Sequence, residues 1–163
     1  MTAKNSDCLN RAVKLLALRP HSVRELATKL ATKGFDADDI ASAVEWLSQR
    51  GYLNDGEFGI KYAKSRVERA RVGSARLKMD LQAKGLDGEI ADNALEHVYG
   101  GDGAELAVAL DAAKRKARSL TPGIGDEAAK KKIFDHLVRK GFPAELARQV
   151  VFEEFRAITK DDA

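Results

Sequence analysis

Apolar residues recur along this chain at spacings of three and four, and in three places the pattern ends in the same short string. Leu26 and Leu30 lead into Lys33-Gly34-Phe35, Leu77 and Leu81 into Lys84-Gly85-Leu86, and Ile133 and Leu137 into Lys140-Gly141-Phe142. After each string an apolar pair four apart begins again: Ile40 with Val44, Ile90 with Ala94, Leu146 with Val150. Residues four apart share one face of a helix. Self-similarity over about fifty residues marks an array of like modules. No window alternates with the two-residue period of a half-buried strand. The pattern predicts an all-α chain of three tandem three-helix-bundle repeats, over residues 1–53, 54–100 and 101–163, with nine helices in an elongated array able to curve.

The polar punctuation supplies the helix ends. Leu9, Val13 and Leu16 mark a first helix that stops at Arg19-Pro20, because proline disfavours helix in the residue before it. Ser22-Val23-Arg24-Glu25 has the form of a capping box and predicts the second start, with Ser22 accepting from the third helical N–H and Glu25 reaching back to the cap. Gly34, Gly85 and Gly141 are placed to take the left-handed conformation that closes a helix. Asp36, Asp38 and Asp39 put negative charge where the third helix dipole favours it, ahead of Ile40, Val44 and Leu47. Asn54 is a cap for a long helix through Phe58 and Tyr62 to about Arg71, and Gly73 breaks it. Gly100-Gly101-Asp102-Gly103 is a joint, followed by a helix to Ser119 and a turn at Thr121-Pro122-Gly123. Pro143 suits a first helical position.

Charge changes the picture only locally. Lys and Arg outnumber Asp and Glu by 28 to 25, a net charge of +3, yet between Lys61 and Lys78 there are seven basic residues and one acid, Glu68. Lys61, Lys64, Arg66, Arg69, Arg71, Arg76 and Lys78 are therefore the candidate surface for an anionic partner or DNA. A weaker second patch is Lys114, Arg115, Lys116 and Arg118 with Lys130 to Lys132. Phe58 and Tyr62 have the geometry to stack on bases, but helical spacing makes them core residues first.

Candidate chemistry is sparse. There is no phosphate-loop, dinucleotide or nucleophile-elbow motif. His21, His97 and His136 lack metal-ligand spacing, and Glu153-Glu154 and Asp38-Asp39 are solvated faces and caps. The expectation is no catalytic residue, no metal and no cofactor, hence no enzyme. The lone Cys8 makes no internal disulfide and fits a reducing compartment, and neither a signal segment nor a membrane span is visible, so the chain is expected to be soluble and cytoplasmic.

From Ala12 to Leu95 the residues go beyond a generic helical repeat. Leu18-Arg19, Ser22, Glu25-Leu26, Lys29-Leu30, Lys33-Gly34-Phe35, Leu47, Gly51-Tyr52-Leu53, Asp55, Phe58 and Tyr62, then Arg66, Gly73, Arg76-Leu77, Leu81 and Lys84-Gly85-Leu86, resemble the RecX family of recombinase regulators. Lys140-Gly141-Phe142 agrees with that family's C-terminal module. Ser74 departs from the pattern, standing where relatives often place proline. The resemblance implies a bacterial, non-enzymatic protein of tandem three-helix modules. It further implies binding to the RecA recombinase and its DNA filament, and modulation of strand exchange in DNA repair, recombination and the SOS response. Apart from the resemblance, the expectation is a monomer, and the basic run leads to the expectation of weak direct DNA binding. The rival is a winged-helix transcription regulator, which Ser22 to Leu53 mimics; Asn54-Asp55-Gly56-Glu57 starts a helix where a wing needs a strand.

Overall fold

The computed structural model describes residues 3–153 and 155, and the apolar spacing becomes nine helices with no strand among them. They are α1 Ala3–Leu18, α2 Val23–Thr32, α3 Ala37–Gln49, α4 Asp55–Ala70, α5 Ser74–Ala83, α6 Gly88–Tyr99, α7 Ala104–Arg118, α8 Asp126–Arg139 and α9 Ala144–Glu153. Glu154 and the stretch 156–163 lie outside the described residues. Helix packing runs within successive trios, α1 to α3, α4 to α6 and α7 to α9, and crosses between trios at α6 against α7.

Each trio has its own core. Cys8, Ala12, Leu26, Leu30, Ile40, Ala43, Leu47 and Leu53 fill the first, and Ala63, Val72, Leu77, Leu81, Leu86, Ala91 and Ala94 the second. The third gathers Ile133, Leu137, Phe142, Ala147, Val150 and Val151 with alanines of α7. The Leu pair of each repeat is thus its buried centre. Two expected core positions are exposed: Val13 is 46% and Ile90 37% exposed, because α1 and α6 bury their alanine faces, at Ala12 and Ala91, and rotate the larger neighbours outward. Phe58 and Tyr62 stack on each other with centroids 6.0 Å apart, half-buried against the second core.

Each Lys-Gly string closes its helix in the same way. The apolar residue after the glycine returns its N–H to the leucine five back: Phe35 to Leu30 at 3.3 Å, Leu86 to Leu81 at 3.0 Å, Phe142 to Leu137 at 3.2 Å. Gly34, Gly85 and Gly141 have φ of 86°, 80° and 84°, the left-handed residue such a closure needs. Ser22 accepts from the Glu25 N–H at 3.1 Å and Asn54 from that of Glu57 at 3.0 Å. Glu25 does not reach back to the cap as the capping box predicts; its carboxylate is drawn instead to Arg19 and Lys84. Pro143 sits one residue outside α9, its carbonyl accepting the first helical bond from Ala147.

The same strings also join the repeats. The Lys84-Gly85 turn of the second trio abuts the start of α2: Ser22 Oγ donates to the Lys84 carbonyl at 2.6 Å, and Lys84 Nζ reaches Glu25 at 2.6 Å. The Lys140-Gly141 turn of the third abuts the start of α5: Gly73 N–H donates to the Lys140 carbonyl at 2.8 Å and Ala75 N–H to the Gly141 carbonyl at 3.1 Å. At both joints an acid from the next repeat's first helix takes the first helical N–H, Asp55 from Val23 at 2.8 Å and Glu105 from Ser74 at 2.6 Å. Joint and closure are one device, used twice.

Candidate functional site

The basic run lies along the second half of α4 and the first half of α5, and most of it is already paired. Asp80 on α5 receives Arg66 at 2.5 Å and Arg76 at 3.1 Å, which ties α4 to α5. Arg71 meets Asp111 of α7 at 2.5 Å, Lys78 meets Asp92 of α6 at 3.0 Å, and Lys61 meets Glu57 one turn back at 3.2 Å. Lys64 and Arg69 are exposed and have no carboxylate partner among the described residues. The seven sequence candidates therefore divide into five that also serve as struts and two whose charge is uncommitted.

Arg71 has a special position. It ends α4 with φ 45°, the only non-glycine residue in the left-handed region among the described residues, a conformation costing about 1–2 kcal/mol. That backbone turns its guanidinium toward α7 and lets it also donate to the Glu68 carbonyl at 2.5 Å. Asp111 takes Arg115 as well, at 3.3 Å. The hydrogen bond from Arg71, and then the two positive charges, outweigh burial and hold the Asp111 carboxyl below the usual range.

Around this bridge the second and third repeats leave a cleft of about 300 Å³, lined by Arg69, Ala70, Arg71, Ala112, Arg115, Lys116, Ser119, His136 and Lys140. The two basic patches of the sequence meet here: Arg69 and Arg71 come from the main run, Arg115 and Lys116 from the second. Lys140, the lysine of the third Lys-Gly string, crosses the joint to donate to the Ala70 carbonyl at 2.5 Å. Burial, then Arg66 and Arg71, push its ammonium below the ordinary lysine range. Burial, then Lys140, Lys116 and Arg139, likewise push His136 down. Each positive group raises the cost of its neighbour's charge, which is the electrostatic condition of a site open to an anion.

Two of these residues escaped sequence reasoning. His136 sits half-buried in the cleft with no spacing to mark it, and Lys140 reads only as part of a helix stop. The one usable signal was the threefold Lys-Gly string, whose lysine is dispensable for a helix end. The other histidines are placed elsewhere: His97 is exposed, and buried His21 bonds the Arg19 carbonyl at 2.9 Å and Lys29 Nζ at 3.0 Å. Among the described residues no group of His, Cys, Asp and Glu is arranged to hold a metal ion, and no helix is long and apolar enough to cross a membrane. A larger groove of about 640 Å³ between α1, α3 and the start of α4 is walled by Leu16, Trp46, Tyr52 and Phe58.

Comparison with known proteins agrees with this architecture. Family models described as the first, second and third three-helix domains of RecX match residues 8–47, 54–95 and 104–151. The Regulatory protein RecX of Chlorobaculum tepidum is 36% identical over 148 residues, covering 91% of this chain and 88% of that one. The protein of the same name from Prosthecochloris aestuarii is 35% identical over 146 residues, 89% of this chain and 91% of its own. The crystal structure of RecX from Lactobacillus salivarius superposes with a TM-score of 0.81 at 22% identity, over 94% of this chain and 97% of that one, and shares the fold. With three successive domain matches and relatives above 30% identity over about nine tenths of both chains, this chain belongs to the RecX family of regulatory proteins.

Proposed function

We propose that this protein modulates the RecA recombinase by binding RecA and its nucleoprotein filament, damping strand exchange in recombination, repair and the SOS response. It acts by occupancy in the cytoplasm, as a monomer with no turnover and no cofactor. The observation that supports the reading best is the succession of three RecX domains, in order, across nearly the whole described chain. The basic face of α4 and α5, with the cleft beside it, supplies a surface for an anionic partner, where arginine forks onto phosphates or carboxylates.

The test adds the purified protein to RecA with single-stranded DNA and ATP. RecA's ATP hydrolysis and strand exchange should fall with dose, while the protein alone hydrolyses nothing. The contact residues are tested by Lys64→Glu with Arg69→Glu, because these side chains hold no carboxylate partner among the described residues. Arg66→Glu and Arg76→Glu are poor probes: each would place a carboxylate against Asp80 and disturb α4 and α5. The Lys64 and Arg69 pair should weaken inhibition at least tenfold with helicity unchanged. Full inhibition by that folded variant places the contact on another face, and ATP hydrolysis by the isolated protein overturns the whole reading.

A further inference from the structure

We propose that the cleft between the second and third repeats is a phosphate site, and that it takes a phosphodiester of a nucleic-acid backbone. The proposal deepens the reading of the basic surface given above and rests on it for the setting, since DNA accompanies the filament. The cleft itself supplies the chemistry. Five cationic side chains line it, Arg69, Arg71, Arg115, Lys116 and Lys140, with the imidazole of His136 between them. One carboxylate, Asp111, answers this charge, and it is taken by Arg71 and Arg115. Arg69, Lys116 and Lys140 have no carboxylate partner among the described residues.

The rest of the lining distinguishes a phosphate from an acidic peptide. It consists of Ala70, Ala112 and Ser119, all small. The lining of this cleft includes no large apolar side chain to seat a neighbouring residue and set a peptide's register. Charge and N–H donors alone recognise a backbone phosphate, which carries no sequence information to be read. The donors also come from both sides of the joint: Arg69 and Arg71 follow from the second repeat, whereas Arg115, Lys116, His136 and Lys140 belong to the third. A bound phosphate bridges the two repeats across the joint that Lys140 already spans, and relieves the mutual repulsion of Lys140, Arg66 and Arg71.

The experiment uses the full chain without recombinase, so its result is independent of filament inhibition. Histidine ring resonances are followed while a single-stranded oligonucleotide is added at low salt, with His21 and His97 as internal controls. His136 should shift and the controls should not. Arg69→Ala with Lys116→Ala should weaken binding at least tenfold. It should also lower the slope of log affinity against log salt by about 1.4, roughly 0.7 for each lost contact to a single strand. Arg69→Lys with Lys116→Arg, which keeps the charge, should restore most of the affinity. An oligonucleotide of uncharged methylphosphonate linkages should leave His136 unmoved. Any of three results overturns the proposal: His136 insensitive to DNA, equal displacement by polyglutamate, or saturation by inorganic phosphate with no effect of the oligonucleotide. Loss of filament inhibition with DNA binding intact would instead count against the recombinase reading alone.

Discussion

At the scale of single residues, the glycines of the Lys-Gly strings are alike in backbone and unlike in surroundings. Gly34 and Gly85 share a positive φ, but a Cβ on Gly34 meets open space, whereas one on Gly85 runs into Cβ and Cδ of Arg24 across the first joint. Gly34→Val should cost about 1–2 kcal/mol, the strain of a branched residue in the left-handed region. Gly85→Val should cost measurably more, and urea melts of the two variants against the wild type decide it. Equal losses would show that the Gly85 turn does not bear on α2. Ser74 has a role at the second joint. Its N–H donates to Glu105 of the third repeat at 2.6 Å, a bond that proline, lacking the hydrogen, does not make. The extended backbone of Gly73, φ −82° and ψ 170°, accepts a following proline without strain. Ser74→Pro thus exchanges a charge-assisted hydrogen bond, about 1.5–3 kcal/mol, for about 0.4–1 kcal/mol of chain stiffening. The expected net is a loss of about 1 kcal/mol, seen in a chemical melt and in faster amide exchange of Gly73 and Ala75.

At the scale of elements, α4 and α5 are held by one carboxylate. Asp80 receives two guanidiniums and is largely shielded from water, while Arg76 is half exposed. Asp80→Ala should cost about 2 kcal/mol, between the values for exposed and buried pairs, because it strands Arg66 in a partly desolvated place. The same change frees two arginines, so affinity for an oligonucleotide at low salt should rise while stability falls. A variant that loses both would mean the pair orders the binding surface instead of competing with it. The helices themselves were legible in the sequence because period and caps agree: the Leu pairs, Ser22, Asn54 and the glycines stand where the pattern puts them. Burial was less legible where small residues win. Ala12 and Ala91 are buried and Val13 and Ile90 are exposed, since close approach of helices selects for volume that hydrophobicity alone does not rank. Of the candidate site, the basic residues were visible and their partners were not. Asp80, Asp92 and Asp111 lie outside the basic run and are brought to it only by folding.

At the scale of the whole molecule, the joint device explains how successive repeats are coupled. The Lys-Gly turn of one repeat seats on the start of the preceding repeat's second helix. In α2 and α5 that start lies four residues before the core leucine, at Ser22 before Leu26 and Gly73 before Leu77. Helix α8 begins a full turn earlier relative to Ile133. The two joints differ in chemistry, and that difference is testable with pH. The second uses backbone donors to backbone carbonyls and Lys140 on the Ala70 carbonyl, with Glu105 and the half-exposed Asp111, paired with Arg71, as its carboxylates. In the first, Lys84 and Arg19 converge on Glu25. Burial by itself would raise the Glu25 carboxyl, but the hydrogen bonds and charges of Arg19 and Lys84 prevail and lower it from 4.5 to about 2. A carboxylate depressed on folding contributes stability that is present above its unfolded pKa and is lost as pH falls through the folded one. The first joint should therefore weaken between about pH 4.5 and about pH 2, by at most about 3 kcal/mol. In an array whose repeats are stabilised by their neighbours, losing one joint uncouples the end repeat before the rest unfolds. Amide exchange in α1 to α3 should accelerate across that window ahead of exchange in α8 and α9. Glu25→Gln should flatten the pH dependence and give the uncoupled behaviour already at neutral pH. If the two ends of the chain lose protection together in the wild type, the first joint does not depend on Glu25, and the hydrogen bonds of Ser22 to the Lys84 carbonyl and of Val23 N–H to Asp55 suffice to hold it.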